Sequence, residues 1–184
     1  MGSYELQLKL RQHQGKQLLP RYLGDLSRSL NKSTEDIKVL DLETTDKLWK
    51  ILLGERQLHL EGAKPSLRRI WLADDIEEVK RLLNGLKERI PDRPMVLFRS
   101  LSEYCGAVET TSREVLENAF RLISLDGEDL MAIDYEGSYG IVFENYTEWT
   151  ETGSLEVYQL LIWGMEWLDT LSNQQALENP PNTK

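Results

Sequence analysis

The sequence predicts an α/β domain of the α+β kind: a mixed β-sheet with flanking helices, closed by an antiparallel C-terminal meander. Three patterns predict it. Two segments carry apolar stripes at helical spacing, one over Ile76, Val79, Leu82, Leu83, Leu86 and Ile90, the other over Val115, Leu116, Ala119, Phe120 and Ile123. Strand-length apolar runs, "LRRIWLA", "PMVLFRS" and "CGAVET", alternate with those helices. Three more runs, "LMAIDYE", "YGIVFENY" and "LEVYQLLIW", follow with only turns between them, which is the pattern of a meander.

The elements read in order as follows. Leu6, Leu10, Leu18 and Leu19 are spaced for a helix, and Pro20 either ends it or opens the next, so two short helices are expected within 4–31. Tyr22, Leu23, Leu26 and Leu30 form the apolar side of the second, and "NKSTED" breaks the pattern. "IKVLDLE" alternates as a first strand. Thr44 or Thr45 can cap a helix over "DKLWKILL" with Gly54 as its stop, which puts Trp49 on an apolar face with Leu48, Leu52 and Leu53. "GERQLHLEGAKPS" then reads as a long loop or weak strand. Asp74 with Glu77, and Thr111 with Glu114, have capping-box spacing ahead of the two amphipathic helices. "LSEY" is a turn between "PMVLFRS" and "CGAVET", which can pair as a hairpin. One globular domain is expected over 1–171, followed by a polar, proline-bearing tail over 172–184 that frays.

With 184 residues, 40% of them hydrophobic and 29% charged, the chain suits a single core. No apolar run approaches the roughly 18 residues of a membrane span, and the N-terminus lacks the apolar region of a secretory signal. Cys105 is the lone cysteine, so no disulfide framework is expected, and it reads as a small apolar filler in a strand. A cytoplasmic protein without membrane attachment is the expectation.

The net charge of −9 is unevenly spread. Met1 to Arg121 holds 21 basic and 19 acidic residues, whereas Leu122 to Thr183 holds 12 acids and no lysine or arginine. Such a segment repels phosphate backbones and attracts cationic surfaces, which argues against nucleic acid as a partner. Catalytic machinery is not evident. His13 and His59 fall in no metal-ligand spacing and beside no nucleophile motif. "DGED" and "EGSYG" have neither the glycine spacing nor the context of a phosphate loop, and the pairs Glu128 with Asp129 and Glu148 with Glu151 match no calcium loop. No catalytic, cofactor or metal residues are assigned.

What remains is the aromatic and acidic stretch from Ile133 to Trp167. A hairpin turning near Glu136 to Ser138, with Ile133, Tyr135, Ile141 and Phe143 inward, leaves Asp134, Glu136, Glu144 and Tyr146 toward the surface or rim. Trp149 lies between Glu148 and Glu151 in a polar turn, while Trp163 and Trp167 read as core or core rim. Asp134, Glu136, Tyr139, Glu144, Tyr146, Glu148, Trp149 and Glu151 are therefore the candidate protein-binding residues, aromatic anchors among polar groups being the composition of interfaces. The competing reading is a solvated acidic face with Trp149 folded back over the sheet edge.

"PMVLFRSLSEYCGAVET", "DGEDLMAID", "GSYGIVFENY" and "LLIWGMEW", spanning residues 94–167, resemble the C-terminal half of small bacterial immunity proteins of polymorphic and contact-dependent toxin systems. The resemblance implies a non-enzymatic inhibitor that blocks a toxin or enzyme carrying a basic cleft. Its motifs are fold-forming residues, so it transfers no binding residue. An intracellular adaptor or regulatory module with another protein partner uses the same residues and stands as the alternative.

Overall fold

The computed structural model describes residues 3–72, 76–124, 129–150 and 153–178. The first element, α1 (Ser3–Leu30), is one 28-residue helix that runs straight through Pro20. An interior proline costs about 3 kcal/mol through its missing donor and ring clash, and packing offsets it. Tyr22, Leu26 and Leu30 are buried in the main core, and the Tyr22 hydroxyl meets Ser102 Oγ at 2.9 Å and donates to the Gly106 carbonyl at 3.1 Å. Leu6 and Leu10, expected on the same apolar face, stay exposed.

Next, α2 (Leu42–Leu60) begins one turn before the expected threonine caps and overruns Gly54. Its cap is Asp41, whose carboxylate accepts from the Thr44 amide at 2.8 Å. A helical glycine costs only about 1 kcal/mol, less than burial of Leu48, Leu52 and His59 returns. The expected loop over "GERQLHLEGAKPS" is thus mostly helix.

The six strands are β1 (Leu67–Leu72), β2 (Pro94–Phe98), β3 (Val108–Thr111), β4 (Leu130–Ile133), β5 (Gly140–Thr150) and β6 (Gly153–Trp163). They form one sheet in the order β1-β6-β5-β4-β2-β3. The α+β class holds, and every pairing is antiparallel where a mixed sheet was expected. β1 crosses to the far side of the meander and joins β6, a choice that no local pattern encodes. The expected first strand over "IKVLDLE" is reduced to one bridge, Val39 to Val108. Even so, Leu40 N donates to Ala107 O at 2.8 Å and Glu109 N to Lys38 O at 2.9 Å, so this segment covers the β3 edge. That close approach needs Gly106, at φ 103, where a Cβ would stand 2.0 Å from the Leu40 carbonyl oxygen.

The remaining helices are α3 (Ile76–Arg89), α4 (Ser102–Cys105), α5 (Ser112–Ser124) and α6 (Met165–Glu178). α4 replaces the expected turn and carries Cys105, which is half-buried at a helix end rather than in a strand. Burial pushes its thiol up. The α5 cap matches expectation, with Glu114 N donating to Thr111 Oγ1 at 3.3 Å, while Asp74 of the other capping box lies outside the described residues. α6, with Trp167 and Leu171 packed at the core, runs on through residues 172–178, the first part of the expected tail. Residues 179–184 lie outside the described residues.

Both faces of the sheet are covered. Leu97, Ala132, Ile141, Phe143, Leu160 and Ile162 meet α1, α3, α5 and α6 on one side. Val96, Phe98, Ile133, Val142, Leu161 and Trp163 meet Leu48 and Leu52 of α2 on the other. The one-sided hairpin expectation therefore fails: Ile133 faces opposite to Ile141 and Phe143, and Tyr135 is exposed, its hydroxyl donating to Glu109 at 2.6 Å. Trp163 and Trp167 are core, as expected.

Because each face has its own core, Leu83→Ala on α3 and Leu52→Ala on α2 are each expected to cost about 2 to 5 kcal/mol in urea unfolding. A loss at Leu83 alone would mean that α2 is a dispensable cover.

Candidate functional site

The expected interface residues do not form one surface. β5 carries them at both its ends, and the rise of a strand separates Tyr139 from Trp149 by about 30 Å.

At one end, Asp134, Glu136 and Tyr139 belong to the β4–β5 turn. Asp134 Oδ1 accepts from the Tyr139 amide at 3.2 Å, which fixes the turn. The Tyr139 ring packs on Trp167 with centroids 5.0 Å apart, and the Arg93 guanidinium lies 4.3 Å above it. Its hydroxyl donates to Glu166 at 3.2 Å, and Glu166 also pairs with Arg93. Burial, then the Glu166 contact, raises the Tyr139 hydroxyl above its ordinary value. Asp134 and Tyr139 are thus committed to the fold, and Glu136 alone of the three is exposed without such ties.

Midway along β5, Glu144 is only 6% exposed, which corrects its expected place at the rim. It pairs with Arg56 of α2 and accepts from Gln159 Nε2 at 2.7 Å. Gln159 Oε1 in turn accepts from Arg68 Nη2 at 2.7 Å and Nε at 3.1 Å. Beyond it, His59 stacks on Trp163 with centroids 5.0 Å apart, and burial pulls its imidazole below the ordinary histidine value. This layer of α2 against the sheet uses its charge internally.

The other end of β5 differs. β4 pairs with β5 only as far as Phe143, and β1 pairs with β6 only from Val157 onward. Among the described residues, the rungs from Thr147 with Glu156 to Thr150 with Gly153 therefore have no lateral strand neighbours, leaving about 13 Å of two-stranded ribbon. Register places Tyr146, Glu148 and Leu155 on the α2 side, and Asn145, Thr147, Trp149 and Glu156 on the opposite side. Tyr146 is 40% exposed and Trp149 is 82% exposed, so the indole does not fold back over the sheet. Asn145 Nδ2 holds Glu156 at 2.8 Å across the ribbon. Glu151 lies outside the described residues. Of the expected residues, the structure brings Tyr146, Glu148 and Trp149 together at this end.

Sequence reasoning missed a cavity of about 630 Å³ between α1, α2, α4 and the ends of β2 and β4. Trp49 and Phe98, whose ring centroids are 5.4 Å apart, and Met131 form its apolar part. Arg11 and Asp46 pair across its wall at 2.8 and 2.9 Å. These residues are far apart in sequence, so no spacing announces them. Only Trp49, an indole on a helix face among leucines, carried a signal.

Among the described residues, no group of three or more histidine, cysteine, aspartate or glutamate side chains is arranged to hold a metal ion, and no helix is long and apolar enough to cross a membrane. Compared with protein families, curated proteins and solved structures, the chain matches none. The residues themselves carry the functional argument.

Two outcomes follow from the buried layer. Glu144→Ala leaves Arg56 without its carboxylate. Because Arg56 is about a quarter exposed, the cost is expected near 2 kcal/mol rather than the larger loss of a fully buried pair, as read from urea midpoints. For His59, the folded value lies below the unfolded one, so the unfolded chain binds the proton more readily as pH falls. Stability is expected to decline as pH drops below about 6.5, and His59→Phe should flatten the decline between about pH 7 and 5.5 in thermal melts.

Proposed function

We propose that this chain is a non-enzymatic, protein-binding inhibitor of the immunity type that presents the free end of the β5–β6 ribbon to a basic cleft on a toxin or enzyme. The observation that carries the reading is Trp149: an indole 82% exposed near the tip of a ribbon that, among the described residues, outruns β1 and β4. An exposed tryptophan held on a paired strand is a preorganised anchor. Burying it against a partner contributes about 3 kcal/mol, and the ribbon loses little conformational entropy in docking. Tyr146 and Leu155 extend the apolar contact on the opposite side of the ribbon, and Glu148 and Glu156 supply negative charge.

The electrostatics support the same assignment. Acids buried within the body are matched by arginines, as Glu144 is by Arg56, whereas no base pairs with Glu148 among the described residues. The net charge of −9 adds a long-range field that draws a cationic partner and repels nucleic acid. Inhibition is then steric occlusion of the cleft by a narrow ribbon, with association steered by charge.

The triple variant Tyr146→Ser, Glu148→Lys, Trp149→Ala tests this reading. Its circular dichroism and melting temperature are expected to match wild type within the small shifts usual for surface changes. Wild type should capture a basic protein from source-cell lysate at about 50 mM salt and less of it at about 500 mM, as screening shortens the Debye length. The variant should bind that protein at least about 30-fold more weakly, and only wild type should block its activity. Equal capture by both proteins at both salts would make the ribbon a solvated projection and end the proposal.

A further inference from the structure

We propose that the outer edge of β1 takes up an extended segment of a partner protein by strand addition, a segment whose side chains alternate between apolar and acidic. This site is separate from the ribbon, and its occupant does not depend on the reading above.

The two edge strands of the sheet are finished differently. At β3 the edge is covered, since Leu40 N donates to Ala107 O and Glu109 N to Lys38 O. β1 pairs with β6 from Leu67 to Leu72, and among the described residues none of its amides or carbonyls bonds to anything else. Alternate residues of a strand turn their backbone groups to opposite sides, so about three residues of β1 offer a donor and an acceptor outward, along an edge of about 20 Å. The side chains there are open too. Ile70 is 52% exposed and Leu72 46%, both on the α2 side of the sheet by register. Leu72, Val157 and Tyr146 form one row across β1, β6 and β5, and only its middle member is buried. An added strand with apolar residues opposite Ile70 and Leu72 lengthens that row and covers both.

Charge selects the other face of the added strand. Register turns Arg69 to the side opposite Ile70, where it is exposed and makes no hydrogen bond or ion pair among the described residues. A residue directly across from it on an added strand has its Cβ about 5 Å away, within reach of a carboxylate-to-guanidinium pair. Arg68, held by Gln159 Oε1 on the α2 side, adds to the local positive charge. Arginines at an edge also turn partners away. A second copy adding its own β1 would bring two arginines from each chain onto adjoining strands, between bodies that each carry a charge of −9. A basic segment meets the same repulsion at Arg68 and Arg69, and an acidic one is drawn in. The backbone edge thus supplies affinity, and the arginines choose the occupant.

The isotope-labelled full chain is titrated by NMR with capped heptapeptides: Thr-Val-Glu-Val-Glu-Val-Thr, and the same peptide with lysine for glutamate. In either strand direction the valines share one face and the charges the other. The glutamate peptide is expected to bind with Kd of about 0.1 to 1 mM, shifting the amides of β1, and at least about fivefold more tightly than the lysine peptide. Because the net charge of −9 favours the lysine peptide everywhere else, that preference reports the arginines, and Arg69→Gln should bring it within about twofold. Strand addition has its own signature. Of two N-methylated glutamate peptides, one blocked at its valine amides and one at its glutamate amides, only the version whose methyls face β1 should lose binding, by at least about tenfold. Ile70→Lys, at an exposed position, should weaken both unmethylated peptides about fivefold or more. The proposal is overturned if the lysine peptide binds as well as the glutamate peptide, if Arg69→Gln leaves the preference intact, if both methylated versions bind alike, or if no peptide binds below about 10 mM. Sedimentation showing a dimer that Ile70→Lys dissolves would overturn it too, by giving the edge to a second copy.

Discussion

The pairing of β5 with β6 is the constraint on which the rest of the structure depends. Eleven residues of each strand are matched rung by rung, and this hairpin occupies the middle of the sheet with strands on both sides. A central hairpin of that kind is apolar on both faces, so helices must cover it twice. α1, α3, α5 and α6 close one side, and α2 closes the other almost alone. The fit is close: a Cβ at Gly140 would stand 2.0 Å from the Trp163 ring on the neighbouring strand, which leaves only glycine at that position. The same length that makes the hairpin central also makes it too long for its neighbours. Among the described residues, the projecting ribbon is what remains after β1 and β4 have ended.

Folding also explains the separation of charge along the chain. The last third needs no arginine of its own because the first two thirds supply it. Arg56 comes from α2 to Glu144, Arg68 comes from β1 to Gln159, and Arg93 comes from the segment before β2 to Glu166. Each is a contact made across the sheet or at its end, between residues more than seventy positions apart. Acids that fall outside the reach of these arginines, such as Glu136 and Glu148, are the ones that give the surface its negative field.

The cavity arises from the same architecture. α2 crosses the sheet with its C-terminal half over Glu144 and Trp163, and its N-terminal half brings Asp46 and Trp49 over the ends of β2 and β4. There α1 and α4 close around it, and the Arg11 to Asp46 pair ties the exposed half of α1 to α2. The polar contacts on this wall join helices to one another, which holds the space open while leaving the aromatic floor uncovered.

The sequence by itself determined the class of fold, the amphipathic helices, the strands of the meander and the burial of Trp163 and Trp167, since each is written in a local period of apolar residues. It also marked Trp149 as a tryptophan in a polar turn, leaving open whether the indole stands exposed or folds back over the sheet edge. Helix ends were less legible. Pro20 and Gly54 look like breaks because local propensity opposes a helix there, yet Tyr22, Leu26 and Leu30 beyond the first and His59 beyond the second are buried and carry each helix on. Only the tertiary structure decided strand order and register. It thereby decided that Glu144 is an internal partner of Arg56, that Asp134 and Tyr139 serve their turn, and that Tyr146, Glu148 and Trp149 share a free ribbon. Alternation along a strand says which residues share a face, but not which face a helix will cover. That is settled by contacts between distant segments, and the cavity around Trp49, assembled from five such segments, left that one indole as its local trace.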